Sequence, residues 1–433
     1  MAIFYLNGRP VGEMPVERYP VKARRPAARP APIEVKKPAP ILEARPIEPN
    51  EHSPLSYSQF VEANRRVRVG IITPGLHIGG AELWILALLK YCDRERIEWF
   101  SVNSPRYGTF NPEMLARMRP YCDKITNDEF LLYRLNQECD IVLSWGCYGT
   151  RKYFEPKKRC HVCLVSHGSD EDYTRNVMTD AAYADALVGV SKAAILPFPK
   201  DQQSRAQVIY NMADLDRLHV TQSRAQIRKE WGIKPGQKVL GYLGRLSWEK
   251  NPKAVADAVA ALPEDWVGVM VGDSWNRTGD EIVAHCRAVA GKRVKMVGWR
   301  MDVGNVLNAF DAGLSPSLME GCALNIAEMW YAGVPVLATP VGQVLEVPHL
   351  VCGIPERPTG SQIATALLAD RKAAKARRAR VAAAREFVDA NMTPAIFGRR
   401  WTELIVNLAN SPRFPEAPAP AQVLPSRQFP RHD

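Results

Sequence analysis

The sequence predicts an α/β protein built from two doubly wound parallel sheets. Strand-like and helical runs alternate in two successive stretches of the chain, as they do where helices cross over between parallel strands. Loops with glycine or polar residues follow the strands of the second stretch. Because such sheets bind ligands beyond the carboxyl ends of their strands, we expect the functional site in a central cleft between the two sheets. A chain of 433 residues is long enough for two domains and tails.

The pattern of apolar residues places the elements of both domains. Domain boundaries are predicted at 67–200 for the first domain and 201–355 for the second, with basic helices at 356–410 and a flexible tail at 411–433. Strands of the first domain are expected at 68–72, 140–144, 161–165 and 186–190, and its helices at 81–91 and 112–118. Strands of the second domain are expected at 239–243, 266–271, 293–297, 312–316 and 334–338.

Residues 1–66 differ from the rest of the chain in composition. The pair Asn7-Gly8 stands between two short β-type runs and predicts a small hairpin, which would be marginally stable alone. From Pro15 to Pro54, proline recurs among Ala, Arg, Lys and Glu, and this favours an extended Pro-rich linker without a core. Two interpretations stay open: an inert tail, or a tethered peptide that docks a partner.

Composition argues against membrane-spanning and secreted classes. No apolar run approaches the ~20 residues that a membrane helix needs, and the N-terminus lacks the charged-then-apolar order of a signal peptide. Nine cysteines at irregular spacing favour free thiols in a reducing compartment, so we expect a cytoplasmic protein. Cys160 and Cys163 form a C-x-x-C without a second pair. This favours two strand cysteines over a zinc site.

Positive charge is concentrated in two segments of a chain whose formal net charge is +11. The first cluster lies in the linker, at Lys22, Arg24, Arg25, Arg29, Lys36 and Lys37. The second lies in an alanine-rich helical run, at Arg371, Lys372, Lys375, Arg377, Arg378, Arg380 and Arg385. Such a run is either a solvated helix face or a surface that holds a polyanion through phosphate contacts. No nucleic-acid-binding signature accompanies it.

The segment from Ser315 to Thr339 carries the strongest functional signal. Glu320 follows a Ser-Pro turn, and Glu328 lies eight residues later in a helical run. A helix N-terminus offers free backbone N–H groups and a positive dipole end to an anion. Two carboxylates beside such an anion site suit the hydroxyls of a sugar and a ribose. The segment therefore predicts a nucleotide-sugar site.

This segment resembles the E-x7-E region of the retaining GT-B glycosyltransferases, the family-four-like group of glycosyl transferases group 1. Six further segments match that family in order, and together the matches cover about residues 67–346. The first joins the strand at Val69 to the loop at Gly79, the next four begin at Ser166, Ala184, Val208 and Gly244, and the sixth is the pair Gly342 and Glu346, which follows the E-x7-E region. The resemblance implies a GT-B fold of two Rossmann-like domains. It also implies a terminal helix, here at 399–408, that crosses back to the first domain.

The resemblance also implies roles for individual residues. Arg245 and Lys250 are expected to grip the donor diphosphate, where fixed cations stabilise the charge on the leaving group. Glu320 and His167 are expected at the transferred sugar, and Glu328 at the ribose. The remaining donor-binding positions are Gly79, Gly80, Cys322, Ala323 and Leu324.

Two departures from the family pattern are visible. Cys322 and Ala323 replace the usual Phe-Gly after Glu320-Gly321, so a Cβ stands near the phosphates. Trp330 and Tyr331 replace small residues of the helix, which predicts a bulkier contact surface or a reshaped acceptor side.

The interpretation is a cytosolic, retaining and metal-independent transferase that uses a nucleotide sugar such as a UDP- or GDP-sugar and needs no cofactor. Asp170-Glu171-Asp172 spells D-x-D, but we interpret it as a surface loop and expect no metal ligands. The acceptor is open, with a polyanion such as DNA or a surface glycan or lipid as candidates. Three alternatives remain: a non-catalytic sugar-nucleotide-binding protein, a DNA glycosyltransferase acting on a hydroxymethylated base, and a tethered scaffold.

Overall fold

A computed structural model describes residues 2–6, 9–14, 65–77, 79–105, 108–145, 150–155, 157–168, 177–273 and 277–412. The chain divides into two compact units, residues 1–60 and 61–433. In the first unit, β1 (Ala2–Leu6) pairs antiparallel with β2 (Arg9–Met14). This confirms the predicted pairing, while Asn7, Gly8 and the Pro-rich linker lie outside the described residues.

The second unit contains two parallel sheets, as the sequence predicted. The first sheet has seven strands in the order β5-β4-β3-β6-β7-β8-β9. Its strands are β3 (Val67–Ile72), β4 (Ile97–Asn103), β5 (Ile125–Thr126), β6 (Ile141–Ser144), β7 (His161–Ser166), β8 (Ala186–Gly189) and β9 (Ala206–Val208). Its helices are α1 (Gly80–Tyr91), α2 (Pro112–Met118) and α3 (Glu129–Glu138). Since β9 pairs with β8, this sheet continues beyond the boundary predicted at residue 200.

The second sheet has six strands in the order β12-β11-β10-β13-β14-β15. These are β10 (Lys238–Leu243), β11 (Trp266–Val271), β12 (Val294–Gly298), β13 (Ala312–Ser315), β14 (Val336–Ala338) and β15 (Cys352–Gly353). Its helices are α4 (Arg224–Glu230), α5 (Lys253–Ala261), α6 (Arg277–Ala290), α7 (Val303–Asn308), α8 (Leu324–Tyr331), α9 (Gly360–Lys372), α10 (Ala374–Asn391) and α11 (Pro394–Ala409). All five strands predicted for this domain are present, displaced by two residues at most.

Helix α11 returns to the first sheet, which confirms the expected crossing. Trp401 of this helix packs against Trp84 of α1, with ring centroids 5.4 Å apart. The hydroxyl of Thr402 accepts a hydrogen bond from the backbone N–H of Asp93 at 3.0 Å. Both tryptophans are buried, so the helix joins the core of the first sheet to the end of the second domain.

The predicted basic helix is α10, together with the end of α9. Several of its charges are engaged within the molecule: Arg380 pairs with Asp370, and Arg385 lies over the ring of Tyr331 at 3.9 Å. Lys375 and Arg378 are exposed. Among the described helices, none combines the length and apolar character required to cross a membrane.

Candidate functional site

The loops that follow β10, β11, β12 and β13 form one wall of a cavity of about 420 Å³. The opposite side is lined by the start of α1, at Gly79 and Gly80, and by Glu113 of α2. The cavity therefore lies between the two sheets at the carboxyl ends of the second sheet's strands, as expected for a doubly wound fold. Nine of the ten predicted site residues line it, namely Gly79, Gly80, Arg245, Lys250, Glu320, Cys322, Ala323, Leu324 and Glu328.

A tight turn at the ends of two neighbouring strands shapes the floor of this cavity. Gly272 follows β11 with φ of 140°, a conformation that L side chains rarely adopt. A Cβ at this position would lie 1.9 Å from the carbonyl oxygen of Gly244, which follows β10. The two strand ends can therefore approach each other only with glycine at Gly272, and Arg245 leaves the turn directly beside the cavity.

Lys250 and Glu320 form an ion pair in the cavity wall. Lys250 Nζ lies 2.6 Å from Glu320 Oε1, and their side chains are 22% and 8% exposed. The hydroxyl of Ser317 donates to the same carboxylate oxygen at 2.8 Å. Arg245 is more exposed, and it pairs with Glu249 at 3.2 Å. Of these two cations, Lys250 is the more enclosed and is matched to a carboxylate, whereas Arg245 faces solvent.

Glu328 is buried in the same wall, on α8. Burial raises the pKa of Glu328 to about 7, and the guanidinium of Arg217 opposes this shift. Arg217 Nε lies 3.7 Å from Glu328 Oε1. Sequence reasoning missed Arg217, which lies in a 3-10 turn between the two sheets and carries no motif signal of its own.

His167 contacts the site through its backbone. A Cβ on Gly321 would lie 2.1 Å from the His167 carbonyl oxygen, so glycine beside Glu320 permits the loop after β7 to approach the loop after β13. The imidazole itself packs between Trp84 and Trp145, with centroids 4.8 and 5.2 Å away. Burial lowers the pKa of His167 to about 3, so the ring is neutral, and its side chain does not line the described cavity.

The substitutions after Glu320 are accommodated inside the fold. Cys322 is buried, and burial raises the pKa of its thiol to about 12, which makes it a poor nucleophile. The backbone N–H of Ala323, at the start of α8, donates to Gln343 Oε1 at 2.7 Å. This N–H group, expected at the phosphates, is therefore engaged within the protein.

Trp330 of α8 belongs to the core and not to an exposed surface. Trp330 is 1% exposed and packs edge-on against Phe387 of α10, with centroids 5.9 Å apart. The predicted bulkier contact surface is therefore wrong for Trp330, because α10 covers the helix on that side.

Two further predictions concern the C-x-x-C pair and a metal site. Cys163 is a free thiol within β7, as the strand interpretation required, and Cys160 lies directly before that strand. No cluster of three or more His, Cys, Asp or Glu side chains suited to a metal ion occurs in the part of the chain that the structure describes. Asp170, Glu171 and Asp172 fall outside that part.

Comparison with known proteins agrees with this geometry. Residues 237–369 match the family model described as Glycosyl transferases group 1. The chain is 30% identical over 141 residues to the Escherichia coli UDP-Gal:alpha-D-GlcNAc-diphosphoundecaprenol alpha-1,3-galactosyltransferase, covering 31% of this chain and 36% of that protein. It is 28% identical over 175 residues to the lipopolysaccharide core biosynthesis mannosyltransferase LpsB of Rhizobium meliloti, covering 38% and 47%. The matched segments thus span less than half the length of these relatives.

A solved structure extends the likeness to both sheets. HepE from Anabaena, crystallised with UDP and glucose, superposes with a TM-score of 0.64 at 19% identity and covers 79% of this chain and 100% of that one. At this identity the likeness establishes the fold, which is GT-B. The two Rossmann-like sheets and the cleft between them thus have the GT-B fold, and residues 237–369 of the second domain match the Glycosyl transferases group 1 family model.

Proposed function

We propose that the chain transfers a sugar from a nucleotide-sugar donor to an acceptor hydroxyl, with retention at the anomeric carbon. The observation that carries the proposal is the shared cavity in which Arg245, Lys250, Glu320 and Glu328 meet at the carboxyl ends of parallel strands. The two cations suit the diphosphate of such a donor, and the two carboxylates suit the hydroxyls of its sugar and its ribose. The relatives named above are glycosyltransferases, and the Anabaena protein is also known with UDP-glucose, which favours the same donor class.

The proposed chemistry uses charge rather than a metal. When the sugar–phosphate bond breaks, negative charge develops on the leaving diphosphate. Arg245 and Lys250 oppose that charge, and the first turn of α8 adds the positive end of its dipole. Lys250 is paired with Glu320, so donor binding would redirect its ammonium group from the carboxylate to the phosphates. The Glu320 carboxylate would then accept hydrogen bonds from hydroxyls of the transferred sugar.

Retention would follow from departure and attack on the same face of the sugar, with no dedicated protein nucleophile. The neutral imidazole of His167 is held by two tryptophans, and in the proposal its loop supplies contacts to the sugar. That loop would orient the sugar, while the buried imidazole stays neutral inside the protein.

The test is incubation of the full chain with UDP-, GDP- and ADP-sugars and candidate acceptors, followed by mass spectrometry. A mass increase of one sugar on an acceptor, with release of the nucleoside diphosphate, is the expected result. Proton NMR of the product then reports whether the anomeric configuration is retained. Tight binding of a nucleotide sugar without transfer or hydrolysis would favour the non-catalytic binding protein instead.

A further inference from the structure

Arg217 occupies the junction between the donor cavity and a second cavity of about 410 Å³. It lines both of them. The second cavity runs along α1 and is bounded by the chain that joins the two sheets. The side chain of Arg217 is 19% exposed, so most of this cation lies inside the protein. A buried cation at this junction needs a compensating partner.

That partner is Glu328, whose side chain is 6% exposed. The two groups form an ion pair at 3.7 Å, longer than a hydrogen bond. Arg217 Nε has no hydrogen-bond acceptor among the described residues. The guanidinium therefore compensates the charge of the carboxylate without using its oxygens as close acceptors, which leaves them available to a ligand.

The turn that carries Arg217 is anchored on the first sheet's helices. Asp214, three residues earlier, lies 3.8 Å from Arg117 of α2. Asp216 pairs with Lys90 of α1 and accepts a hydrogen bond from the hydroxyl of Tyr91 at 3.2 Å. The guanidinium is thus fixed from the first domain, whereas its carboxylate partner belongs to α8 of the second.

We propose that Arg217 is a positioning residue that keeps the Glu328 carboxylate charged and oriented toward the ribose hydroxyls of the donor. The proposal rests on the proposed function, because it assigns the ribose to Glu328. It assigns Arg217 no contact with the reacting atoms.

The charge of Glu328 gives this role a pH signature. Burial raises its pKa to about 7, Arg217 lowers the pKa, and Asp214 raises it. Only the ionised carboxylate is a pure acceptor for ribose hydroxyls. Donor affinity should therefore increase as pH rises through about 7. Without Arg217 the pKa of Glu328 increases further, and the gain in affinity moves to higher pH.

The same groups affect stability in the absence of a ligand. The pKa of Glu328 in the folded chain lies above its ordinary value of 4.5. Glu328 therefore makes its full contribution to the free energy of unfolding when the pH is below that ordinary value. The contribution is lost as pH rises through the pKa of the folded chain. Without Arg217 the pKa of Glu328 is higher, so the loss of stability continues to higher pH. In the Glu328→Gln variant the contribution of this side chain to stability does not change with pH, since an amide does not titrate.

The experiment compares Arg217→Met and Arg217→Lys with Arg293→Met, a control whose arginine is 21% exposed and pairs with Glu264. Donor KM and kcat are measured from pH 6 to 9. We expect Arg217→Met to raise donor KM about tenfold near neutral pH and to shift its pH profile upward by about one unit, with kcat changed about threefold at most. Arg217→Lys should recover most of the loss, and the control should keep the wild-type profile.

Ligand-free melting temperatures complete the test. As pH rises from 6 to 8, the melting temperature of Arg217→Met should fall more than that of the intact chain. When Glu328→Gln is added to both chains, that difference should disappear. Identical pH profiles for Arg217→Met and Arg293→Met, in KM and in melting, would overturn the inference. A wild-type chain inactive with every donor would contradict the proposed function, while the melting series would still decide whether Arg217 controls the charge of Glu328.

Discussion

Replacement of Lys250 by methionine separates the structural and catalytic parts of the site. The substitution keeps the length of the side chain and removes its charge, which leaves the buried Glu320 carboxylate without the Lys250 cation, while Ser317 still donates to it. Removal of one member of a buried ion pair typically costs about 3–5 kcal/mol of folding free energy. The hydroxyl of Ser317 and the 22% exposure of Lys250 place this pair at the lower end, so we expect a loss of about 3 kcal/mol.

Activity should respond differently from stability. Loss of one fixed cation at a developing anion reduces turnover by about 10²–10³. Adding Glu320→Gln to Lys250→Met removes the uncompensated charge, so it should restore most of the stability while activity stays low. Arg245→Ala is the matched comparison, because Arg245 is 49% exposed and its ion pair with Glu249 contributes little to folding. It should lose turnover comparably and stability hardly at all.

Urea unfolding followed by circular dichroism measures the stability, and release of the nucleoside diphosphate measures turnover. If Lys250→Met is as stable as the variant with both Lys250→Met and Glu320→Gln, the broken ion pair does not account for the loss of unfolding free energy. If both single variants turn over at normal rates, neither cation belongs to the site.

Three further predictions test the remaining assignments. Glu328→Ala should weaken binding of a nucleoside diphosphate but hardly that of its 2′,3′-dideoxy analogue, whereas Glu320→Ala should mainly lower kcat; equal losses with both ligands would contradict this division. Activity should survive a chelator, since fixed cations already face the phosphates, and loss that manganese reverses would instead implicate Asp170. Deletion of residues 1–54, or reversal of charge at Arg377 and Arg378, should leave transfer to a small acceptor unchanged but reduce transfer to a polyanion such as DNA at low salt; unchanged transfer to DNA would reduce these segments to solvated surface.

Local patterns of apolar residues in the sequence predicted most of the strands. The strands with continuous apolar runs, such as β11, appear where their sequences place them, because burial on both faces leaves a simple signature. Strand β4 was missed, since Glu98 interrupts its apolar run. The pairing of β9 with β8 was also missed, because three residues of which none is fully buried carry almost no pattern.

The sequence likewise predicted only those parts of the site that a short segment of the chain makes readable. Glu320 and Glu328 were found because they lie in one short segment whose turn and helix are readable locally. Arg217 was not found, because its partnership with Glu328 arises only when the chain between the sheets packs against α8. Trp330 was misread for a related reason: Phe387, which covers it, is contributed by a helix far along the chain.

The central claim is that the cleft binds the diphosphate of a nucleotide sugar through Arg245 and Lys250. Isothermal titration of the full chain with UDP, GDP and ADP tests it most directly. The account predicts saturable binding of at least one nucleoside diphosphate with the corresponding nucleoside much weaker, and a loss of about a hundredfold or more in the variant with Arg245→Ala and Lys250→Met together. Equal affinity of that variant and the intact chain, or no binding of any nucleoside diphosphate by the intact chain, would contradict it.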